Sequence, residues 1–228
     1  MTEAQRLASL AVNQVLVGRN LTAALSTLSK RHPGLSAPQR ALAQELAYGT
    51  LRFYGELQTL LTLLLQKPLQ NAELRALLLV GLYQLHYGKA VPYAVVDHAV
   101  NAAAALNQRA AKGLVNAVLR NFLRRRKELL ALAHAAEAGR YSHPQWWIDK
   151  LKTQYPADFE RILVAANQRP PMTLRVNSRV TTKHDYLRLL QNAEIEAEDI
   201  GDYALKLRHP VTVEKLPGFF EGMVSVQD

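Results

Sequence analysis

Apolar side chains recur at helical spacing through the first part of the chain, residues 1–139. Leu7 and Leu10 begin the first such series, and comparable series follow along this part. The last two helices are predicted over residues 94–106 and 108–127. No strand-like alternation of apolar and polar residues occurs here, so the pattern predicts one compact all-helical domain.

Polar residues mark the starts of several of these helices. Asn20, Ser36 and Asn71 each stand just before an apolar series, and Pro38 lies inside the first turn that follows Ser36. The series after Asn71 is apolar on nearly every side as far as Tyr87. A helix of this kind is normally enclosed by others, so it is predicted to be the central buried helix.

The pattern changes in the second part, residues 140–228, where prolines become frequent. Short alternating segments predict β-strands, and a helical series lies between the first two of them. The strands are predicted at residues 173–176, 204–207 and 223–226, and the helix at 184–190. This order predicts a small α+β unit.

The last residues of the sequence, 223–228, keep the strand-like pattern to the end. A strand at a chain terminus exposes unpaired backbone groups unless a neighbour covers it. We therefore expect the native protein to continue beyond residue 228.

Positive charge is concentrated in the first part of the chain. Residues 1–139 hold 16 Lys and Arg against 7 Asp and Glu, whereas residues 140–228 hold 12 of each, so the whole net charge of +9 lies in the first part. Between Asp97 and Glu128 there is no acidic residue. A dense field of one sign attracts polyanions such as nucleic acid, although basic residues also favour the end of a helix dipole. The cations predicted to contact RNA are Arg109, Lys112, Arg120, Arg124, Arg125, Arg126 and Lys127.

The sequence lacks most catalytic motifs. It has no cysteine, which excludes disulfides, thiolate metal sites and a thiol nucleophile. None of the seven histidines forms a metal-ligand pair, and no Gly-x-Gly loop could cradle a phosphate or dinucleotide. No apolar stretch is long enough to span a membrane. We therefore expect no metal, no membrane segment, and no active site within these residues.

Two local clusters have competing interpretations. Trp146 and Trp147 could stack on bases, but core packing of both is the stronger expectation, because adjacent helical residues point in different directions. The acids of a second cluster are predicted to lie in a solvated loop; they are Glu194, Glu196, Glu198 and Asp199.

Seven segments, taken in order, resemble the N-terminal half of the bacterial 16S rRNA cytosine-C5 methyltransferases of the RsmB family, also called Sun or Fmu. Each segment alone is modestly specific, but their shared order is highly specific and covers essentially the whole chain. The segments are 44–52 (QELAYGTLR), 81–87 (GLYQLHY), 112–120 (KGLVNAVLR), 141–144 (YSHP), 167–172 (NQRPPM), 174–177 (LRVN) and 226–228 (VQD).

The resemblance implies an architecture and a role. It implies a NusB-like helical RNA-binding domain over residues 1–139 and an RRM-like α+β region over 140–228. A Rossmann-like domain that binds S-adenosylmethionine would follow and is absent here. The glycine loop and catalytic cysteine motifs of that domain have no counterpart in this sequence. The implied role is to hold 16S rRNA in the cytoplasm while the intact enzyme methylates a cytosine, usually cytosine 967 in this family.

Three other functions remain open at this stage. A NusB-like RNA-binding factor without enzymatic activity would need only the helical part, so the α+β region argues against it. A hydrolase or metal enzyme has no support beyond scattered histidines and acids. A scaffold whose charge serves solubility would show no salt dependence of RNA binding.

Overall fold

The computed structural model describes residues 1–227, which form two compact units that divide after Asn167. The first unit is entirely helical in the described residues, as predicted. Its α-helices are Thr2–Leu16 (α1), Leu21–Arg31 (α2), Ala37–Arg52 (α3), Tyr54–Leu64 (α4), Ala72–Tyr87 (α5), Pro92–Ala105 (α6), Lys112–His134 (α7), Glu137–Tyr141 (α8), Gln145–Gln154 (α9) and Phe159–Ala166 (α10).

The three predicted helix starts are confirmed by their hydrogen bonds. Asn20 Oδ1 accepts from the backbone N–H of Ala23 at 3.1 Å, and Asn71 Oδ1 accepts from that of Leu74 at 2.9 Å. Ser36 forms a reciprocal capping box with the residue three positions later. Each cap satisfies backbone donors that the first helical turn leaves unpaired, which is why the helices begin at these residues.

Helix α5 is the centre of the first unit, as its apolar sequence predicts. Nearly all its residues between Leu74 and Leu85 are buried, and α1, α3, α4, α6 and α7 pack around it. Its one buried amide, Gln84, accepts a 2.7 Å hydrogen bond from Gln5 Nε2 on α1. The same nitrogen also lies 3.2 Å from the carbonyl oxygen of Val95. The polar side chain within the core is therefore paired, and the pairing ties α1 to α5 and α6.

Helix α7 differs from its predicted form. Residues 109–111 form a short 3-10 turn, and the α-helix runs on to His134 instead of ending near residue 127. Leu114 is exposed, whereas its neighbour Val115 is buried. The buried face of α7 therefore begins at Val115, and it includes Phe122.

The second unit contains four strands and a helix. Their bounds are Met172–Val176 (β1), Lys183–Asn192 (α11), Ala197–Asp199 (β2), Ala204–Leu207 (β3) and Val224–Val226 (β4). The strands form an antiparallel sheet in the order β2-β3-β1-β4. One face of the sheet is buried against α11 by side chains such as Leu174, Leu205 and Tyr186. This confirms the α+β prediction, with one strand missed.

The missed strand, β2, contains two residues of the acidic cluster, Glu198 and Asp199. Glu198 lies in this edge strand opposite Lys206 of β3, although the sequence predicts a loop there. Ala197 is half-buried and the other two residues of β2 are exposed, so the sequence has no apolar alternation from which this strand could be predicted. Its acids remain exposed, as expected for a solvated position.

Gly49 on α3 offers a test of the packing around α5. A Cβ at this position would lie 2.0 Å from Tyr83 Cζ, and the ring of Tyr83 is held by a 2.7 Å hydrogen bond from its hydroxyl to Glu45. Gly49→Ala should therefore lower the free energy of unfolding by about 2 kcal/mol. Gly113→Ala, which meets no atom within 4 Å, should be neutral or stabilising. Urea unfolding followed by circular dichroism measures both; equal stability of the two variants would contradict the predicted clash.

Candidate nucleic-acid interface

Five of the seven predicted RNA-contacting cations are exposed and have no hydrogen-bond or ion-pair partner among residues 1–227. Four of them follow one side of α7, because residues three or four positions apart share a helix face. The fifth lies in the 3-10 turn that leads into this helix. The exposed cationic stripe consists of Arg109, Lys112, Arg120, Arg124 and Lys127.

The sixth predicted cation, Arg125, is exposed but paired. Its guanidinium donates to both carboxylate oxygens of Glu128, at 2.9 and 2.6 Å. Hydrogen bonding to Glu128 raises the pKa of Arg125, and the same contact lowers the pKa of Glu128. Arg125 also has non-helical backbone angles (φ −111°, ψ 18°), so α7 is kinked at this residue. A phosphate at this position would compete with a carboxylate already in place.

The seventh predicted cation, Arg126, is half-buried and points towards α5. Its Nη2 donates to the carbonyl oxygen of His86 at 2.9 Å and lies 2.8 Å from His86 Nδ1. Arginine cannot accept a hydrogen bond, so Nδ1 must accept and the imidazole proton must be on Nε2. Arg126 thus joins α7 to the end of α5, a structural role that the sequence does not reveal.

The proton on His86 Nε2 faces Glu56, a buried carboxylate on α4. Glu56 Oε1 lies 3.7 Å from His86 Nε2 and 2.5 Å from His134 Nε2, and the hydroxyl of Tyr87 donates to Oε2. Burial raises the pKa of this carboxyl, but the nearby imidazole of His86 and the hydrogen bonds with Tyr87 and His134 outweigh burial and lower the pKa below its ordinary value of 4.5. The cluster of Glu56, His86, Tyr87, His134 and Arg126 connects α4, α5 and α7.

An apolar groove lies beside the exposed cationic stripe, between the start of α6 and the middle of α7. Its volume is about 510 Å³. Tyr93 stands at its edge with 72% of its surface exposed, and Val96 forms part of its floor. Arg120 and Arg124 line its other side. Tyr93 does not stand out in the sequence, because periodicity indicates which face of a helix is apolar but not whether a partner covers it.

The expectation for the tryptophans was half wrong. Trp147 packs against a small apolar cluster with Ile148 and Leu163, but Trp146 is 66% exposed. The two rings contact each other edge to face, with centroids 5.7 Å apart. Trp146 is therefore a surface residue, and the stacking interpretation stays open for it alone.

A second cavity, of about 660 Å³, lies in the second unit between α11 and strands β2 and β3. Half of its lining residues are charged, and none is aromatic or glycine. Sites for nucleoside cofactors are mostly apolar with a few placed polar groups, often beside a glycine-rich turn. These residues do not fit S-adenosylmethionine, so no cofactor-binding or catalytic residue is assigned to them.

No helix within residues 1–227 is both long and apolar enough to cross a membrane. No group of three or more His, Cys, Asp or Glu side chains in residues 1–227 is placed to hold a metal ion.

The chain belongs to a class of proteins in which a helical RNA-binding type of domain is followed by a small α+β domain. The sequence model of the NusB family matches residues 2–124, and that of the RsmF/B-like methyltransferase ferredoxin-like domain matches residues 143–214. The chain belongs to the NusB family through its helical part, and its second part is of the ferredoxin-like type found with RsmF/B-like methyltransferases. The second match begins close to the predicted boundary at 139–140, whereas the compact units divide after Asn167, so that boundary stays a prediction.

Curated relatives share one name. The ribosomal RNA small subunit methyltransferase B of Serratia proteamaculans (strain 568) is 43% identical over 227 residues, which is 97% of this chain and 52% of that protein. The enzyme of the same name from Yersinia pestis bv. Antiqua (strain Angola) is 41% identical with the same coverage. The chain therefore spans about half the length of the curated relatives it matches.

A solved structure supports the fold. The crystal structure of PH0851 superposes with a TM-score of 0.65 and covers 100% of this chain and 53% of that one. At 15% sequence identity this likeness concerns the fold alone.

The buried carboxylate Glu56 makes stability depend on pH. Because its pKa is lowered in the folded protein, its stabilising contribution is present above the ordinary value of 4.5 and is lost as the pH falls through the folded value. Glu56→Gln should cost about 2 kcal/mol at pH 7, because Tyr87 and His134 lose a charged hydrogen-bond acceptor. It should also lose less stability than the wild type between pH 5 and 3.

Unfolding free energies measured across that range of pH test this prediction. Asp97→Asn removes an exposed carboxylate of α6 from the same unit and serves as the control, which should follow the wild type. Parallel pH profiles for Glu56→Gln and the wild type would show that Glu56 does not carry the effect.

Proposed function

We propose that this chain is the RNA-holding part of a small-subunit rRNA methyltransferase, and that the exposed cationic stripe of α7 is its phosphate-binding surface. The observation that carries the proposal is the stripe itself. Its five cations lack partners within the described residues, and no acid occurs between Asp97 and Glu128. A surface of this kind positions a nucleic-acid backbone without reading its sequence.

The similarity of the chain to methyltransferases supports the proposal that it is part of an rRNA methyltransferase. Both family matches and the names of the relatives belong to rRNA methylation or to NusB-type proteins. Those relatives are about twice as long, and the cavity of the second unit does not fit S-adenosylmethionine. Methyl transfer to a 16S rRNA cytosine, with S-adenosylmethionine as donor, is therefore proposed for the intact protein in the cytoplasm, with cytosine 967 as the expected target.

We propose RNA contacts for five of the seven cations. Arg109, Lys112, Arg120, Arg124 and Lys127 are retained, because their charges face solvent. Replacing Arg126 would remove two hydrogen bonds to α5, so a loss of RNA binding in that variant would not distinguish a contact from misfolding. Arg125 contributes less, because Glu128 already neutralises it.

Replacing three cations of the stripe tests phosphate binding. The variant Lys112→Ala, Arg120→Ala, Arg124→Ala should bind 16S rRNA fragments more weakly than the wild type. The slope of log K against log salt concentration is negative, and each lost phosphate contact to single-stranded RNA makes it shallower by about 0.7. The slope of the triple variant should therefore be shallower than that of the wild type by about 2. Fluorescence anisotropy across a salt series measures both quantities.

A matched variant removes the same charge elsewhere in the helical unit. Arg19, Arg31 and Lys67 are exposed cations on other helices or loops, and their replacement by Ala should leave the salt slope near the wild-type value. If both triple variants lose affinity equally, the net charge rather than the stripe attracts the RNA. A wild-type slope near zero would refute phosphate binding altogether.

Methylation can be tested in the source cell. Deleting the gene should abolish 5-methylcytosine at one position of 16S rRNA, and bisulfite sequencing detects this loss. Complementation with the intact protein should restore the mark, and complementation with the triple stripe variant should restore it only partly. Unchanged methylation in the deletion strain would refute the methyltransferase role while leaving RNA binding to be judged by the salt series.

A further inference from the structure

The groove between α6 and α7 leaves an apolar surface open to solvent. Tyr93, in the first turn of α6, exposes most of its ring, and Val96 and Leu123 form the apolar surface beside it. Exposing a large aromatic ring next to other apolar groups has no benefit for the folded chain alone. A ligand with a flat apolar face would cover this surface.

The charges around the groove indicate what kind of ligand fits. Arg120 and Arg124 line it, and no acidic residue does. Asp97 is the acid that α6 carries, and its carboxylate accepts a hydrogen bond from Asn101 Nδ2 of the same helix at 3.2 Å. Neither arginine has a side-chain partner among residues 1–227. The ligand should therefore combine a flat apolar face with negative charge.

We propose that this groove binds one unpaired nucleotide of the RNA, with its base stacked on Tyr93 and its flanking phosphates contacted by Arg120 and Arg124. The proposal rests on the proposed RNA-binding function and adds a site to it. Aromatic rings stack on any base, and a volume of about 510 Å³ lies within the usual range for small-ligand sites. A base within a duplex cannot stack in this way, because its faces are covered by neighbouring bases.

The groove would give the helical unit a preference that the phosphate contacts lack. Phosphate contacts alone hold paired and unpaired RNA alike. A site that accepts an unstacked base favours loops and bulges. The stripe continues past the groove to Lys127, so the chain on one side of the bound base would remain on the cationic surface.

The test compares two RNAs of equal length, a hairpin with 2-aminopurine in its loop and a fully paired duplex. With the whole 228-residue chain, Tyr93→Ala should weaken hairpin binding at least about fivefold, the lower end for loss of one stacked base. Its affinity for the duplex and its salt slope should stay near the wild-type values. Tyr93→Phe, which keeps the ring, should bind the hairpin like the wild type and quench 2-aminopurine fluorescence, whereas Tyr93→Ala should not quench it.

A control variant separates this site from general effects of exposed tyrosines. Tyr155→Ala removes a tyrosine that is 53% exposed outside the groove, and it should leave hairpin binding unchanged. If Tyr93→Ala binds the hairpin like the wild type while the triple stripe variant is weakened, the base site is refuted and the phosphate stripe stands. Equal weakening for hairpin and duplex would also refute it.

Two remaining outcomes are equally decisive. If the wild-type chain binds neither RNA, the proposed function and the base site fail together. If Tyr93→Ala keeps full RNA affinity but abolishes binding of a protein partner, the occupant of the groove is a protein segment, and the nucleotide proposal is wrong.

Discussion

The burial of α5 between Leu74 and Leu85 constrains the helices around it in the helical unit. A helix that is apolar on all sides must be surrounded by other helices, and any polar group that it carries must find its partner on one of them. Gln84 is paired with Gln5 of α1, and near the end of the helix His86 and Tyr87 face Glu56 of α4. Hydrogen bonds around this end of α5 thus fix α1, α4 and α7 against it, while apolar packing fills the remaining contacts.

The same constraint sorts the cations of α7 into two groups. The helix packs Leu119 beside Gly81 of α5 and Phe122 beside the ring of His86. Arg126 donates to the carbonyl oxygen of His86 and lies within hydrogen-bond distance of its ring nitrogen. The cations on the opposite side of α7 have no hydrogen-bond partner among residues 1–227, and they belong to the exposed cationic stripe. A run of four basic residues that looks uniform in the sequence therefore contains one structural arginine, one neutralised arginine and two cations available to a ligand.

Periodicity and capping residues were sufficient to predict most of the fold. The caps at Asn20, Ser36 and Asn71 and the central position of α5 follow from local rules, because hydrogen bonds within the first turn and an all-apolar surface decide them. Strand β2 could not be predicted by these local rules, because its formation depends on pairing with β3 rather than on a pattern in its own residues. The cationic RNA site stays a prediction. The sequence could not indicate that Arg125 pairs with Glu128 or that Arg126 bonds to His86, because only the fold shows which arginines meet a partner.

The exposed ring of Tyr93 shows how holding the RNA could be coupled to the chemistry proposed for the intact protein. An enzyme that methylates a base must first have that base unstacked, and unstacking costs least where the RNA is already unpaired. A binding domain that contacted only phosphates would bind duplex and loop equally. The catalytic domain would then have to supply all of the free energy needed to unstack the base. A stacking site beside the cationic stripe would instead concentrate loops and bulges at the enzyme before the target base enters its pocket. Part of the selection of the substrate would then reside in the helical domain, separate from the residues that carry out the reaction.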